Sequence, residues 1–359
     1  MVTSGARSVK KRPVLAVIIR FFLLIVLFLL LPKARAADDI FSRERIISKA
    51  RVVVAVATNA TIALQPQPEK VRTLVNRGVF HFTGKTNLSQ AWGSIVSSND
   101  VVGIKVYSTP GANSGTRPSV VAAVVEGLLA VGLASDRIIV WDKELIHLRR
   151  AGFMELAERY NIRVESSSSS GYDSENFYES ALVGNLIWGD SEFGQKETVS
   201  GRKSFVTKLV TKEITKVISI APLLNHNVAG TTGNLYSLAI GGVDNTHRFE
   251  QSERLAIALP EIYALESLGD KVVLNITDAL ICQYQGEQRS LLHYSVARNQ
   301  IWFSKDPVAL DALALRELDD QRQAAKIPSK KVNLEIYQNA SLLELGVSEP
   351  RSIRIETAP

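Results

Sequence analysis

The sequence predicts an α/β protein, with a mostly parallel or mixed sheet flanked by helices. Three observations carry the prediction. Short β-branched runs recur along the chain, long helical stretches separate them, and polar, Gly-rich segments follow where apolar runs stop. Strand, long helix, strand is the order of a parallel sheet with crossover connections. With 359 residues, 46% of them hydrophobic, the chain has ample material for a large core. That composition, without a repeat period, excludes a disordered or fibrous chain.

Taken in order, the first 36 residues read as an address. A basic stretch from Arg7 to Arg20 precedes an unbroken apolar run, Phe21 to Leu31, and then Ala34-Arg35-Ala36. Basic, apolar and A-x-A is the order of a secretory signal peptide. The run of 11 residues falls short of the ~20 that span a bilayer. The expectation is an exported protein, periplasmic or extracellular; an anchor formed by residues 14–31 is the alternative and would be its one membrane contact. Seven basic residues lie in this segment and no acid does, so a total charge of +6 becomes −1 for the rest of the chain. A nearly neutral remainder argues against a nucleic-acid partner. Cys282 is the sole cysteine, which excludes an internal disulfide and an iron–sulfur cluster built from the chain's own cysteines.

The following residues divide into an N-terminal α/β half (37–165), a Ser-rich connecting region (166–203) and a C-terminal α/β half (204–359). In the first half, Val52–Ala57, Val101–Tyr107, Ile138–Trp141 and Ile162–Val164 read as strands. Val120–Leu133 is apolar nearly all round and predicts a helix packed on a sheet. Lys143–Tyr160 has helical spacing of its apolar residues. Ser166–Ser170 and Gly171 read as a surface loop. Beyond it, Ser204–Val210, Val217–Ala221, Val272–Ile276 and Ile301–Ser304 are predicted strands, Arg254–Leu268 a helix, and Ile353–Ile355 an added edge strand. Asp306-Pro307 opens a helix, aspartate capping and proline at the first helical position.

No phosphate-binding loop, dinucleotide fingerprint, nucleophile elbow or H-E-x-x-H occurs. The densest polar segment is NHNVAGTTGNLYSLAIGGVDNTHR, Asn225 to Arg248, directly after an apolar strand. Parallel sheets place ligands beyond the carboxyl ends of their strands. His226 and His247 have the chemistry of metal ligands, with Asp244 as oxygen ligand or orienting acceptor. His247 and Arg248 also suit an anion clamp, and Asn227, Thr232 and Asn245 belong to the same candidate surface. The bland alternative is an Asn/Gly loop that caps its own turns. Lys105, a lysine within an apolar strand, either snorkels or is paired in a site. Asp278 ends a strand and is a site candidate, whereas Asp142 reads as a helix N-cap. Asp311 sits among apolar neighbours and needs a partner or a shifted pKa. His81, His147 and His293 have no visible partners in the sequence.

VVGIKVYSTPG, SVVAAVVEGLLAVGL with DRIIVWD, HNVAGTTGNLYSLAIGGVDNTHRF, VVLNITDAL and FSKDPVALDALAL occur in that order from Val101 to Leu318. Together they resemble the bacterial domain of unknown function 362 family, in an exported branch without a ferredoxin module. The resemblance implies an α/β domain and leaves the activity open. The family's central motif usually reads His, then Thr-Gly, then Lys-Asn. Here His226, Thr232 and Gly233 match, and Tyr236 and Ser237 stand at the Lys-Asn position.

The functional expectation is a strand-end crevice that binds a small anionic or metal-bound ligand. Its catalytic candidates are His226, His247 and Asp278, converging on one pocket with Lys105 at the rim. A divalent metal is the cofactor the histidines suggest. The alternative is a periplasmic binding or accessory protein without turnover.

Overall fold

The computed structural model describes residues 50–195, 198–250, 253–328 and 332–359; the predicted signal segment lies outside them. Among the described residues no helix is long and apolar enough to cross a membrane.

Strand β1 (Ala50–Val56) leads through α1 (Pro68–Thr83) and α2 (Leu88–Gly93) to β2 (Val102–Val106). Helix α3 (Pro118–Val131), β3 (Ile138–Asp142), α4 (Leu145–Arg150), α5 (Phe153–Tyr160) and β4 (Arg163–Ser166) follow. Strands β5 (Tyr172–Asn185) and β6 (Ser200–Thr207) pair as a separate antiparallel hairpin. The chain then returns through β7 (Lys216–His226), α6 (Asn234–Gly242), α7 (Leu255–Tyr263) and β8 (Val272–Gln283). It ends with β9 (Ser295–Ser304), α8 (Pro307–Ala324), α9 (Glu335–Leu342) and β10 (Ile353–Ala358).

The main sheet has the order β10-β1-β9-β8-β7-β2-β3-β4, and the short segment Gly230–Thr231 pairs with β7. Only β9 among these eight strands runs against its neighbours. The sheet is therefore mixed but mostly parallel, and strands from both sequence halves share it.

Side-chain alternation divides the core. Ile104, Val140, Ile218 and Ile276 pack with α3 on one face. Trp141, Val217 and the apolar residues of α6 and α7 pack on the other. Helix α3 is buried through Val120, Val121, Val124, Val125 and Leu128, as an all-round apolar sequence requires. Each such side chain contributes about 1.5–3 kcal/mol when fully buried. Asp306 caps α8, accepting the Ala309 N–H at 2.8 Å, with Pro307 in the first turn.

Several boundaries differ from the sequence reading. The predicted helix Lys143–Tyr160 is broken at Gly152, which adopts φ 86° and starts α5 in a new direction. Region 166–203 is not a connecting loop. Ser166 accepts the Ser169 N–H, and the Ser167 hydroxyl is buried against the Gly241 carbonyl at 2.7 Å, so serine hydroxyls satisfy the tight turn. The hairpin fills most of the rest. Strand β7 passes through Pro222 to His226 because the returning Gly230–Thr231 pairs with its end. Strand β8 runs to Gln283, so Asp278 lies mid-strand.

Candidate functional site

Strands β2 and β7 are adjacent and parallel, yet the chain leaves them toward opposite faces. After β2 it enters α3, on the first face; after β7 it enters α6, on the second. Two neighbouring strands with diverging exits leave a crevice beyond their carboxyl ends. A cleft of about 520 Å³ occupies this place, lined by Tyr107 and Thr109 after β2, Asp142 to Glu144 after β3, and His226 at the end of β7.

The floor of the cleft is a buried ion pair. Lys105 and Asp142 are 0% and 4% exposed, and the Lys105 ammonium donates to Asp142 Oδ1 at 2.8 Å. Its other donors meet the Val106 carbonyl at 2.7 Å and Ser237 Oγ at 3.1 Å. Asp142 Oδ2 accepts both the N–H and the hydroxyl of Ser108, at 2.8 and 2.6 Å. Burial opposes ionisation of Asp142, but the Lys105 charge and the Ser108 bonds outweigh it and hold the carboxyl below its usual range. Space for the lysine comes from Gly241 of α6, where a Cβ would overlap Lys105 Cε.

The wall on the α6 side is a polar chain. His226 Nδ1 accepts the N–H groups of Val228 and Ala229 at 3.2 and 3.0 Å. Two donors at Nδ1 leave the ring proton on Nε2, so the imidazole is neutral in this arrangement. The ring lies 4.3 Å from that of Tyr236. Tyr236 donates to Glu250 at 3.1 Å, Thr246 donates to the other Glu250 oxygen at 3.1 Å, and Lys143 Nζ donates to Thr246 at 2.9 Å. Burial, then the Glu250 charge, raises Tyr236 well above the ordinary phenol range. His147 and His247 complete the lining, His147 with Nδ1 at 3.4 Å from Thr109 Oγ1. The Tyr107 hydroxyl is buried without a hydrogen bond of normal length; Thr109 is the polar side chain near it.

The family model described as domain of unknown function (DUF362) matches residues 102–316, more than half of the chain. The chain belongs to this family. No curated protein matches it. A crystal structure of a protein from Thermotoga maritima is similar at 12% identity and a TM-score of 0.39, covering 73% of this chain and 60% of that one. This chain thus spans less than two thirds of that protein's length.

The DUF362 match runs from β2 into α8 and contains every residue that lines the cleft. Of the residues singled out in the sequence, His226 and His247 line the cleft and Lys105 lies directly beneath it. Asp278 is not in it. By alternation with Ile276, Asp278 points to the α3 face, where Arg117 binds it through its backbone N–H at 2.9 Å and its guanidinium at 3.0 Å. The expected convergence of His226, His247 and Asp278 therefore does not occur, because strand β8 continues past Asp278 and buries it.

The remaining candidates hold the fold. Asp244 accepts the N–H groups of Ser191 and Phe205, at 2.7 and 2.6 Å. Asn245 binds Asp190 and the Lys203 carbonyl. Arg248 is no anion clamp: its guanidinium donates to the Tyr178 and Leu182 carbonyls and to Ser180 and Ser204, fastening the β5–β6 hairpin. Thr232 is buried against the Leu224 carbonyl, and the Asn227 N–H binds Glu287. Asp311 accepts the Asn234 and Leu235 N–H groups at 2.7 and 3.0 Å, capping α6 from α8. Among the described residues, no group of three or more His, Cys, Asp or Glu is placed to hold a metal ion.

Sequence reasoning missed Asp142, read as an N-cap although Glu144 occupies that position of α4. It also passed over Lys143, His147, Thr246 and Glu250. The available signal was positional: Tyr107–Thr109 and Asp142–Glu144 both directly follow apolar strands.

Proposed function

We propose that this DUF362 protein binds a small organic anion in the switch-point cleft, after export directed by its N-terminal segment. The observation that carries the reading is the cleft's position, at the carboxyl ends of β2, β3 and β7 where outgoing connections diverge, above a fixed Lys105–Asp142 pair. Asp142 is neutralised by Lys105, so the floor adds little net charge. Lys143 donates to a hydroxyl and, among the described residues, has no carboxylate within ion-pair distance. Its charge is thus available to a carboxylate or phosphate, with His147 and His247 in the same lining, and has to outweigh the Glu144, Glu250 and Glu287 carboxylates that also line the cleft.

Titration calorimetry with inorganic phosphate, acetate, malonate and succinate tests this reading. At least one should bind saturably, and Lys143→Ala should weaken it by roughly 10- to 100-fold, the value of a lost charge-assisted hydrogen bond. Failure of all four to bind, or unchanged affinity in Lys143→Ala, overturns the reading. Export is tested separately by mass spectrometry of the protein from its native host: a chain that still carries Phe21–Leu31 would identify an anchor.

A second reading, turnover, is favoured by His226, which lines the cleft with its ring 4.3 Å from that of Tyr236. On it, the His226 imidazole exchanges a proton with the bound ligand. On this reading, His226→Gln abolishes product formation while leaving anion binding within a fewfold of wild type.

A further inference from the structure

The β5–β6 hairpin carries an apolar surface that the core does not use. Val183, Ile187, Trp188, Phe193 and Val199 are all exposed within 17 residues of chain, Trp188 to 88%. The other three tryptophans, Trp92, Trp141 and Trp302, are at most 4% exposed. Trp188 and Phe193 meet edge to face with ring centroids 6.1 Å apart. A tryptophan offers ~150–250 Å² of surface for burial, so leaving it in water forgoes a large stabilisation.

The tip is also held in place. Asp190 accepts the Ile187 N–H and, through its other oxygen, the Asn245 N–H, both at 2.8 Å. The Ser191 N–H binds Asp244 at 2.7 Å. These bonds fix the tip to the segment that also supplies Thr246 and His247 to the cleft. Ile187 belongs to both surfaces, being exposed on the tip and lining the cleft. Val228 and Ile240 are further apolar residues of the lining, which also holds Lys143, His147, Glu144, Glu250 and Glu287.

We propose that the ligand of this cleft is an amphiphilic anion, a carboxylate-type head with a hydrocarbon tail that lies along Ile187 and Trp188. The proposal rests on the anion-binding reading above and adds the tail. Ile187, which belongs to the tip and to the cleft alike, selects this occupant: a tail whose head sits in the cleft meets Ile187 there, next in the chain to the exposed Trp188.

Trp188 provides its own reporter, because it is the one described tryptophan open to solvent. Acetate, hexanoate and octanoate are titrated into the full chain by calorimetry and tryptophan fluorescence. Each methylene that becomes buried should tighten binding by about fourfold, and the emission should shift to the blue with octanoate and not with acetate. Trp188→Ala should remove most of the chain-length dependence, and Lys143→Ala should weaken all binding members of the series.

Octanoate binding that depends on Lys143 but is unchanged in Trp188→Ala overturns the tail and leaves the anion site standing. Octanoate binding no tighter than acetate binding does the same. Octanoate binding that depends on neither residue overturns both; no octanoate binding overturns the tail, and the anion reading is then decided by phosphate, acetate, malonate and succinate. An equal blue shift with submicellar dodecyl maltoside, unaffected by Lys143→Ala, would show a headgroup-independent apolar surface such as a membrane or protein contact, and would also overturn the proposal.

Discussion

Two buried ion pairs flank the same sheet, and the cleft described above borders one of them. Lys105–Asp142 lies on the α6 side of β2 and β3; Arg117–Asp278 lies on the α3 side of β8. Burial is nearly complete in both. The difference is what surrounds them. Asp142 shares its oxygens with Ser108 and the Lys143 N–H at a strand end, so one side of the pair borders the cleft. Asp278 sits within a continuing strand, and the Arg117 backbone N–H together with its guanidinium ties the start of α3 to it. A buried charge is therefore a weak marker of function by itself. Its access to a cavity distinguishes a site from a brace.

The largest expected effect tests the brace. Asp278→Ala leaves the Arg117 guanidinium buried without its counter-ion and should cost about 3–5 kcal/mol, read by chemical denaturation. Anion affinity of the folded fraction should stay at the wild-type value. A parallel loss of affinity would mean that the two pairs act as one unit and would break the comparison.

Lys105→Met should cost somewhat less, about 3 kcal/mol, because Asp142 keeps the Ser108 and Lys143 donors. Adding Asp142→Asn should restore part of this stability, since the uncompensated carboxylate is then gone. If the double variant is instead less stable than Lys105→Met by the full amount of a second independent loss, the two residues are not coupled.

A pH-graded effect comes from Asp311, whose carboxyl burial pushes up to about 7. An unfolded aspartate ionises near ~4. Between these values the unfolded chain has lost the proton and the folded chain has kept it. This contribution to stability is thus complete below ~4, declines as pH rises, and levels off above about 7. Thermal unfolding of wild type and Asp311→Asn across this range should show the decline in wild type only. Parallel curves would mean that the helix N–H groups keep Asp311 ionised.

Lys143→Ala should have the smallest effect on stability, within about 0.5 kcal/mol, despite its large expected effect on anion binding. A change well above that would place Lys143 among the braces.

Much of the architecture was legible in the sequence because local patterns dictate it. The β-branched runs, the all-round apolar α3 and the Asp306-Pro307 cap each depend on residues close together in the chain, and each formed where predicted, although β7, β8 and β9 extend well beyond the predicted runs. The Asn225–Arg248 segment was also legible as the region beside a cleft, since polar, Gly-rich chain follows an apolar strand there; that the same segment packs α6 into the core was not. What Asp142, Asp278 and Arg248 do was not. Asp142 reads as a cap until Lys105, 37 residues earlier, is placed beside it by the parallel register of β2 and β3. Asp278 reads as a strand end until β8 is seen to continue, and Arg248 reads as an anion clamp until the hairpin carbonyls of Tyr178 and Leu182 surround it. Sequence determined which segments become strands and helices and where polar chain collects, because hydrophobic period and turn chemistry are local. Tertiary structure alone decided which charges are neutralised and which face a cavity, because a charge's partner and its access to water depend on strand order and on the face to which each side chain points.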